Sequence, residues 1–180
     1  GIETRMPFIR NVYLVVSHPS QVPEWADREN LKIVLHKDII PEEFLPTFNC
    51  NPIEMNLHRI PGLDEEYLYF NDDMFPVGDC SPTDFFRDGK AVIGYYRHFF
   101  ASNMYKKICR NSDRLAREAL GLKPSVFFTR PQHICSPMLK SVCDEEYEKV
   151  NAQIRETAAT RTRTEDNLNQ YLCLDYMNYK

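Results

Sequence analysis

Glycine is scarce in this sequence, six residues in 180, while proline is frequent at twelve and aromatics reach 12%. Stiff connections and aromatic-lined walls follow from that balance. No CxxC pair is present among the six cysteines, which excludes zinc knuckles and thioredoxin-type sites. No apolar run reaches the roughly eighteen residues of a membrane-spanning helix. The opening stretch from Gly1 to Asn11 has no apolar signal-peptide core, and it lacks an initiator Met, as expected of a trimmed piece. The net charge of −4 weighs against a nucleic-acid footprint over the whole chain and leaves room for a local basic pocket. Internal repeats and low-complexity segments are also missing.

What is there fits one domain over residues 1–180. A chain of this size buries roughly two-thirds of its unfolded surface. Its 43% apolar and 27% charged residues are ordinary for a globular protein. Cys50, Cys80, Cys109, Cys135, Cys143 and Cys173 number six, which permits three disulfides. A core of this size needs no staples, and Cys109, Cys143 and Cys173 lie in helix-like stretches. Buried free thiols and a reducing compartment are therefore expected.

Short β-branched runs at residues 11–16 and 32–36 read as buried strands, with Val22-Pro23-Glu24-Trp25 as a crossover. Asn51 is placed to cap a helix that has Pro52 in its first turn, uses Glu54 in a capping box, and ends at Pro61-Gly62. Strands are expected at residues 67–70 and 91–96, a helix over about 102–120 ending at Gly121, and a short extended piece at 125–128. Ser136-Pro137 opens a further helix carrying Tyr147, Val150 and Ile154, and Thr164 caps a last one carrying Leu168, Tyr171 and Leu172. Alternating strands and helices make the first half an α/β layer structure, and the second half is mostly helical.

The sharpest chemical signal is Asn71-Asp72-Asp73, at the carboxyl end of a strand. Ligands of open α/β sheets gather there, and paired carboxylates suit a hard cation that bridges to phosphate. The same three residues are also good turn chemistry. Glu54 and His58, four apart, share a helix face, and a capping Glu beside a core-edge His is the plainer alternative. Arg59 points elsewhere. His133, in an irregular stretch after Arg130-Pro131-Gln132, is a general acid/base candidate or a solvated loop residue. Arg161 and Arg163 precede the Thr164 cap, where a guanidinium and helix N–H groups suit phosphate, though a plain surface looks the same. His18 and His36 stand at strand ends, and His98 reads as structural. Taken together the set suits a magnesium-assisted enzyme acting on phosphate.

The blocks from Phe8 to Val15, Val22-Pro23-Glu24-Trp25, His36-Lys37-Asp38-Ile39-Ile40, Leu45-Pro46-Thr47-Phe48-Asn49, Ile53-Glu54, Leu57-His58-Arg59-Ile60-Pro61-Gly62-Leu63 and Tyr69-Phe70-Asn71-Asp72-Asp73-Met74-Phe75 together resemble the Stealth family of sugar-phosphate transferases. Looser similarity continues through Pro131-Gln132-His133 and the segment from Thr160 to Asp166. The resemblance implies a Rossmann-like nucleotide-sugar fold. It also implies transfer of a hexose-1-phosphate from a nucleotide-sugar to the hydroxyl of a glycan acceptor during capsular or exopolysaccharide synthesis. Under it, Asp72 and Asp73 serve Mg2+ (or Mn2+) and the diphosphate, His133 is the acid/base or a transition-state contact, and Arg163, favoured over Arg161, clamps phosphate. Asn49, Glu54, His58 and Arg59 shape the site. A bacterial, cytoplasmic protein is implied, peripheral to the inner face of the membrane and without a nucleic-acid partner.

The family's opening block, an Asp-rich first strand with a Trp-Val-Asp-Gly-type sequence, has no counterpart here, and Gly1 to Arg5 do not match the Arg-Asp-Asn segment expected before Phe8. The expectation is therefore an N-terminally truncated piece or a degenerate relative. The rivals are a nucleotide-sugar-binding remnant without turnover and an ordinary glycosyltransferase.

Overall fold

The computed structural model of the chain describes residues 1–24, 26 and 31–180. A short helix α1 (Ile2–Arg5) leads into β1 (Val12–Val16), which pairs in parallel with β2 (Leu31–Leu35), Val12 opposite Leu31 and Val16 opposite Leu35. Parallel neighbours need a crossover between them; Trp25, in the expected crossover, lies outside the described residues. Neither strand is wholly buried, and Lys32 and Ile33 are exposed. The one-turn helix α2 (His36–Ile39) follows at once, and the Asp38 carboxylate accepts from the Leu35 N–H at 2.8 Å. Val34, Ile39, Ile40, Leu57 and Ile60 form a buried apolar cluster beneath this part of the chain.

Helix α3 (Cys50–Met55) begins and ends earlier than the sequence suggests. Its cap is Asn49, not Asn51: the Asn49 side chain accepts from the Asn51 N–H at 3.1 Å. The helix stops where the Asn56 side chain donates back to the Pro52 carbonyl at 2.7 Å, and Leu57–Arg59 form a separate 3₁₀ turn. Local side-chain-to-backbone bonds of this kind compete with helix. Strand β3 (Glu66–Tyr69) lies where expected. The strand expected over residues 91–96 is two pieces. β4 (Phe86–Arg87) pairs with β5 (Lys90–Ala91), and after a break β6 (Tyr95–His98) starts beyond Gly94. The break accommodates Gln132, whose N–H donates to the Gly94 carbonyl and whose side chain occupies the space a Cβ at Gly94 would need.

Helix α4 (Met104–Ala119) is capped by Asn103, and Gly121 at φ +67 takes the left-handed turn after it. Its buried residues, Ile108, Cys109, Ser112, Asp113, Leu115 and Ala116, recur at helical spacing along one face. Strand β7 (Phe128–Pro131) pairs antiparallel with β6. Residues 136–139 correct the expected helix start: Ser136–Leu139 are β8, antiparallel to β3 with Tyr69 opposite Ser136. Helix α5 (Lys140–Lys149) starts only after them, breaks at Val150, and continues as α6 (Asn151–Ala158). The last expected helix also starts later, as α7 (Tyr171–Tyr179), because residues 160–170 are held as a loop by the side chain of Asn167.

The fold class is thus α/β with a mostly helical second half. Parallel pairing, which a Rossmann-like sheet would need throughout, is confined to β1–β2, while the other three strand pairs among the described residues are antiparallel. Helix α7 lies at the centre of the packing. Leu172 and Tyr176 join Leu115, Tyr147 and Ile154 in one buried cluster, and Tyr171 and Leu174 join Phe128 and Met138 in another. Each such side chain contributes about 1.5–3 kcal/mol by leaving water. A disulfide joins Cys143 of α5 to Cys173 of α7, with Cα atoms 5.6 Å apart. It corrects the expectation of free thiols for that pair, because the two packed helices bring the sulfurs together. Cys50, Cys80, Cys109 and Cys135 are free. No helix among the described residues is long and apolar enough to cross a membrane.

Candidate active site

The loop of residues 160–167 is fastened to the start of α3 by a buried polar knot. Asn49 Nδ2 donates to Asn167 Oδ1 at 2.8 Å and to Thr160 Oγ1 at 3.1 Å. Asn167 Nδ2 donates to Thr164 Oγ1 at 3.0 Å, and the Phe48 N–H donates to the Arg161 carbonyl at 2.9 Å. Asn49 and Asn167 are both buried. Buried amides are tolerated only when hydrogen-bonded, so this knot is highly specific. Its effect is to carry Arg163 to α3, where its guanidinium donates to Cys50 Sγ at 2.9 Å. Arg161 contributes its backbone to the knot and turns an exposed side chain outward.

Glu54, one turn further along α3, faces the end of β3. The Tyr69 hydroxyl donates to Glu54 Oε1 at 3.1 Å and contacts Asn71 Oδ1 closely. Burial pushes the Glu54 carboxyl up to about 7, against the Tyr69 hydrogen bond and the positive charge of Arg163. It is thus poised between its two protonation states near neutral pH, as a general acid/base requires. Burial and then the Glu54 charge raise the Cys50 thiol, so it is no ready thiolate. Asp72 and Asp73 lie in the exposed turn that follows Asn71. Two adjacent hard oxygen donors open to solvent fit a cation that keeps most of its waters and takes further oxygens from phosphate. Among the described residues no three His, Cys, Asp or Glu side chains converge as a preformed metal cage.

His133 belongs to the loop between β7 and β8. Because Tyr69 pairs with Ser136 in antiparallel register, the residues after Tyr69 and those before Ser136 emerge at the same end of the ribbon. His133 and Asn71-Asp72-Asp73 therefore share that end. His133 Nδ1 lies 3.3 Å from the Tyr171 hydroxyl, which is 2.9 Å from that of Tyr105. Arg130 stands over the Tyr96 and Tyr105 rings. The aromatic wall expected from composition is found here.

His58 and Arg59 face away from this end. They line a cleft of about 400 Å³ with Asp144, Tyr147, Asn151 and Arg155. Arg59 stacks over the Tyr147 ring, and His58 lies 3.9 Å from Asp144. Burial pulls the His58 imidazole down to about 4, so it is neutral near pH 7 and the Asp144 contact is no ion pair there. Between the cleft and the site runs a narrow internal cavity that Glu54 and His58 both line, together with Gln170 and Glu146. Glu146 is buried, its Oε1 has no hydrogen-bond partner among the described residues, and burial pushes its carboxyl up to about 8.

Three segments thus meet, the start of α3, the end of β3 and the Arg163 loop, and the His133 loop emerges at the same end of the β3–β8 ribbon. The family model described as Stealth protein CR2, conserved region 2, matches residues 1–93. The chain belongs to the Stealth family. The match starts at residue 1 and takes in Gly1 to Arg5, which the block-by-block resemblance left out. Asn49, Glu54, His58, Arg59, Asp72 and Asp73 fall inside the Stealth match, and His133, Arg161 and Arg163 lie beyond it. A receptor polysaccharide phosphotransferase of Streptococcus gordonii is 34% identical over 96% of this chain and 61% of its own length. A capsular polysaccharide phosphotransferase of Streptococcus pneumoniae gives the same figures, and one of Haemophilus influenzae is 31% identical over 94% of this chain and 48% of its own. The chain therefore spans about half to three-fifths of these Stealth relatives. Cys50, Tyr171, Glu146 and Asn167 stand in or around the site without a motif of their own, and Tyr69 lies in a family block without a role implied for it. Only the helix spacing from Cys50 to Glu54 hinted that these two share a face.

Proposed function

We propose that this chain carries the reaction centre of a phosphotransferase that moves a hexose-1-phosphate from a nucleotide-sugar to a glycan hydroxyl in capsular or exopolysaccharide synthesis. The observation that carries the reading is the meeting of Glu54 and the Asn71-Asp72-Asp73 turn with Arg163, which reaches α3 at Cys50 across 113 residues of sequence, with His133 at the same end of the ribbon. The names of the relatives support phosphotransfer. In the reaction the acceptor oxygen bonds to the sugar-bearing phosphorus, the bond from that phosphorus to the bridging oxygen breaks, and a nucleoside monophosphate leaves. Glu54 takes the acceptor proton, and His133 steadies or protonates the departing phosphate oxygen. Arg163 binds the transferred phosphoryl group with its planar fork. Asp72 and Asp73 are the residues that would hold Mg2+ (or Mn2+). The ion's chemistry there is to neutralise the diphosphate. Asn49 acts through the knot that sets Arg163. In a bacterium, where nucleotide-sugars are made in the cytoplasm, this reading puts the protein there.

The test is release of nucleoside monophosphate from a panel of nucleotide-sugars by the natural full-length protein, with and without magnesium. Asp73→Ala and His133→Ala are each expected to lower kcat at least a hundredfold, on the order of one lost transition-state contact. Turnover without any divalent ion overturns the Asp72–Asp73 assignment, and unchanged kinetics in His133→Ala overturn that of His133. Release of nucleoside diphosphate identifies an ordinary glycosyltransferase. Binding by calorimetry with no product identifies a remnant.

A further inference from the structure

The tip of the β6–β7 ribbon takes no part in the site above and has a chemistry of its own. His98 pairs with Phe128, so the residues leaving β6 and those entering β7 project from one end. Their side chains are apolar and open to solvent: Phe100 is 73% exposed, Val126 72% and Phe99 48%. The rings form one surface, with Phe99 centred 4.4 Å from Phe100 and 5.5 Å from Phe127, and the Arg97 guanidinium 4.6 Å over Phe127.

Along the two segments that form this tip the charge is of one sign. From Gly89 to Ser112 the sequence holds Lys90, Arg97, Lys106, Lys107 and Arg110 and no Asp or Glu. From Ala119 to Cys143 it holds Lys123, Arg130 and Lys140, again without an acid. The β6–β7 pairing and the packing of α4 on β7 join the two segments. Lys107 and Lys140 are neutralised by Glu165 and Asp144, whereas Arg97, Lys106, Arg110, Lys123 and Arg130 form no ion pair among the described residues. Such segregation runs against the chain's net charge of −4. A duplex nucleic acid would engage the cations and leave Phe100 and Val126 in water, and a single strand would stack bases on the rings but leave the aliphatic Val126 unused. An anionic bilayer engages both, since aromatic and aliphatic side chains enter the headgroup boundary while Lys and Arg meet lipid phosphates.

We infer that the tip of the β6–β7 ribbon docks on an anionic membrane surface, inserting Phe99, Phe100, Val126 and Phe127 and presenting Arg97, Lys106 and Lys123 to the headgroups. The inference stands apart from the transfer chemistry, since partition is measured without turnover. The experiment is co-sedimentation of the natural full-length protein with vesicles of phosphatidylcholine alone or with about one-third phosphatidylglycerol, at low and high salt. Binding is expected only to the anionic vesicles. Lys123→Glu is expected to weaken it by about fivefold or more, the worth of a single basic residue at such a surface. The double change Phe100→Ser and Phe127→Ser is expected to abolish the part that survives high salt, with the melting temperature unchanged. Equal binding to neutral vesicles, or none to either, overturns the inference. Binding that ignores the double change is plain polyanion affinity and also overturns it. A fall in melting temperature caused by that change shows that other parts of the protein cover the tip, and overturns it as well.

Discussion

Replacing Glu146 with Gln separates a buried acid from the packing around it. In the folded chain this carboxyl binds its proton up to about pH 8, against an ordinary value of 4.5, and desolvation is the cause. At about 1.4 kcal/mol for each tenfold change in proton affinity, that gap sets a ceiling of about 5 kcal/mol. Relaxation and water entering the cavity leave roughly 2–3 kcal/mol. Since the folded state holds the proton more tightly, the contribution is fully present below pH 4.5 and is lost as pH rises through about 8. The groups facing Glu146 from neighbouring elements are Tyr67, Glu54 and His58, with Gln170 as a neutral neighbour. Glu54, up at about 7, adds a pH dependence of the same sign that the variant retains. Urea denaturation of wild type and Glu146→Gln at about pH 5, 7 and 8.5 is the assay. The wild type is expected to lose stability over this range by roughly 2–3 kcal/mol more than the variant, which starts slightly lower because its carboxamide also needs partners. Parallel curves would refute the reasoning, for they would mean that Glu146 is hydrated and titrates near its ordinary value.

Tyr69→Phe removes the hydroxyl that holds the ionised form of Glu54, so the Glu54 carboxyl rises further above about 7. If Glu54 is the proton acceptor, kcat/KM of the full-length protein near neutral pH falls severalfold and recovers in mild alkali; a profile that stays in place excludes that role. Asn167→Ala empties the polar knot: Asn49 keeps Thr160 and the Asn51 N–H but loses its bond to Asn167, and Thr164 loses both of its bonds to that side chain. It is expected to cost about 2–4 kcal/mol in chemical denaturation and to weaken nucleotide-sugar binding in calorimetry, because Arg163 loses its anchor.

Much of the site could be read along the chain because its chemistry lies in short contiguous blocks. Asn71-Asp72-Asp73 follows a strand in the sequence and does so in the fold. Glu54 keeps the helix position its spacing gave it. His58 does not share that face, because the Asn56 side chain ends α3 before the next turn, a competition that hydrophobic periodicity does not record. Ser136-Pro137 has the composition of a helix start, yet long-range pairing with β3 makes it a strand. Tertiary partners override local preference in that way. The Cys143–Cys173 contact and the Asn49–Asn167 knot depend on helices and loops distant in sequence, and no local pattern announces them.

The placement of α7 has a consequence for the order in which the chain folds. Tyr171, Leu172, Leu174 and Tyr176 are shared between the two clusters of the helical half, and the Asn49 contacts close over 111 and 118 residues. Loops of that length carry a high closure entropy and slow the search for native contacts. During synthesis, therefore, β1, β2 and α3 emerge well before Arg163, and the candidate site is assembled only after residues 171–179 pack into the core. A nascent chain paused before that point would expose the faces of α4, α5 and α6, an opening for chaperones and proteases that the finished protein no longer offers.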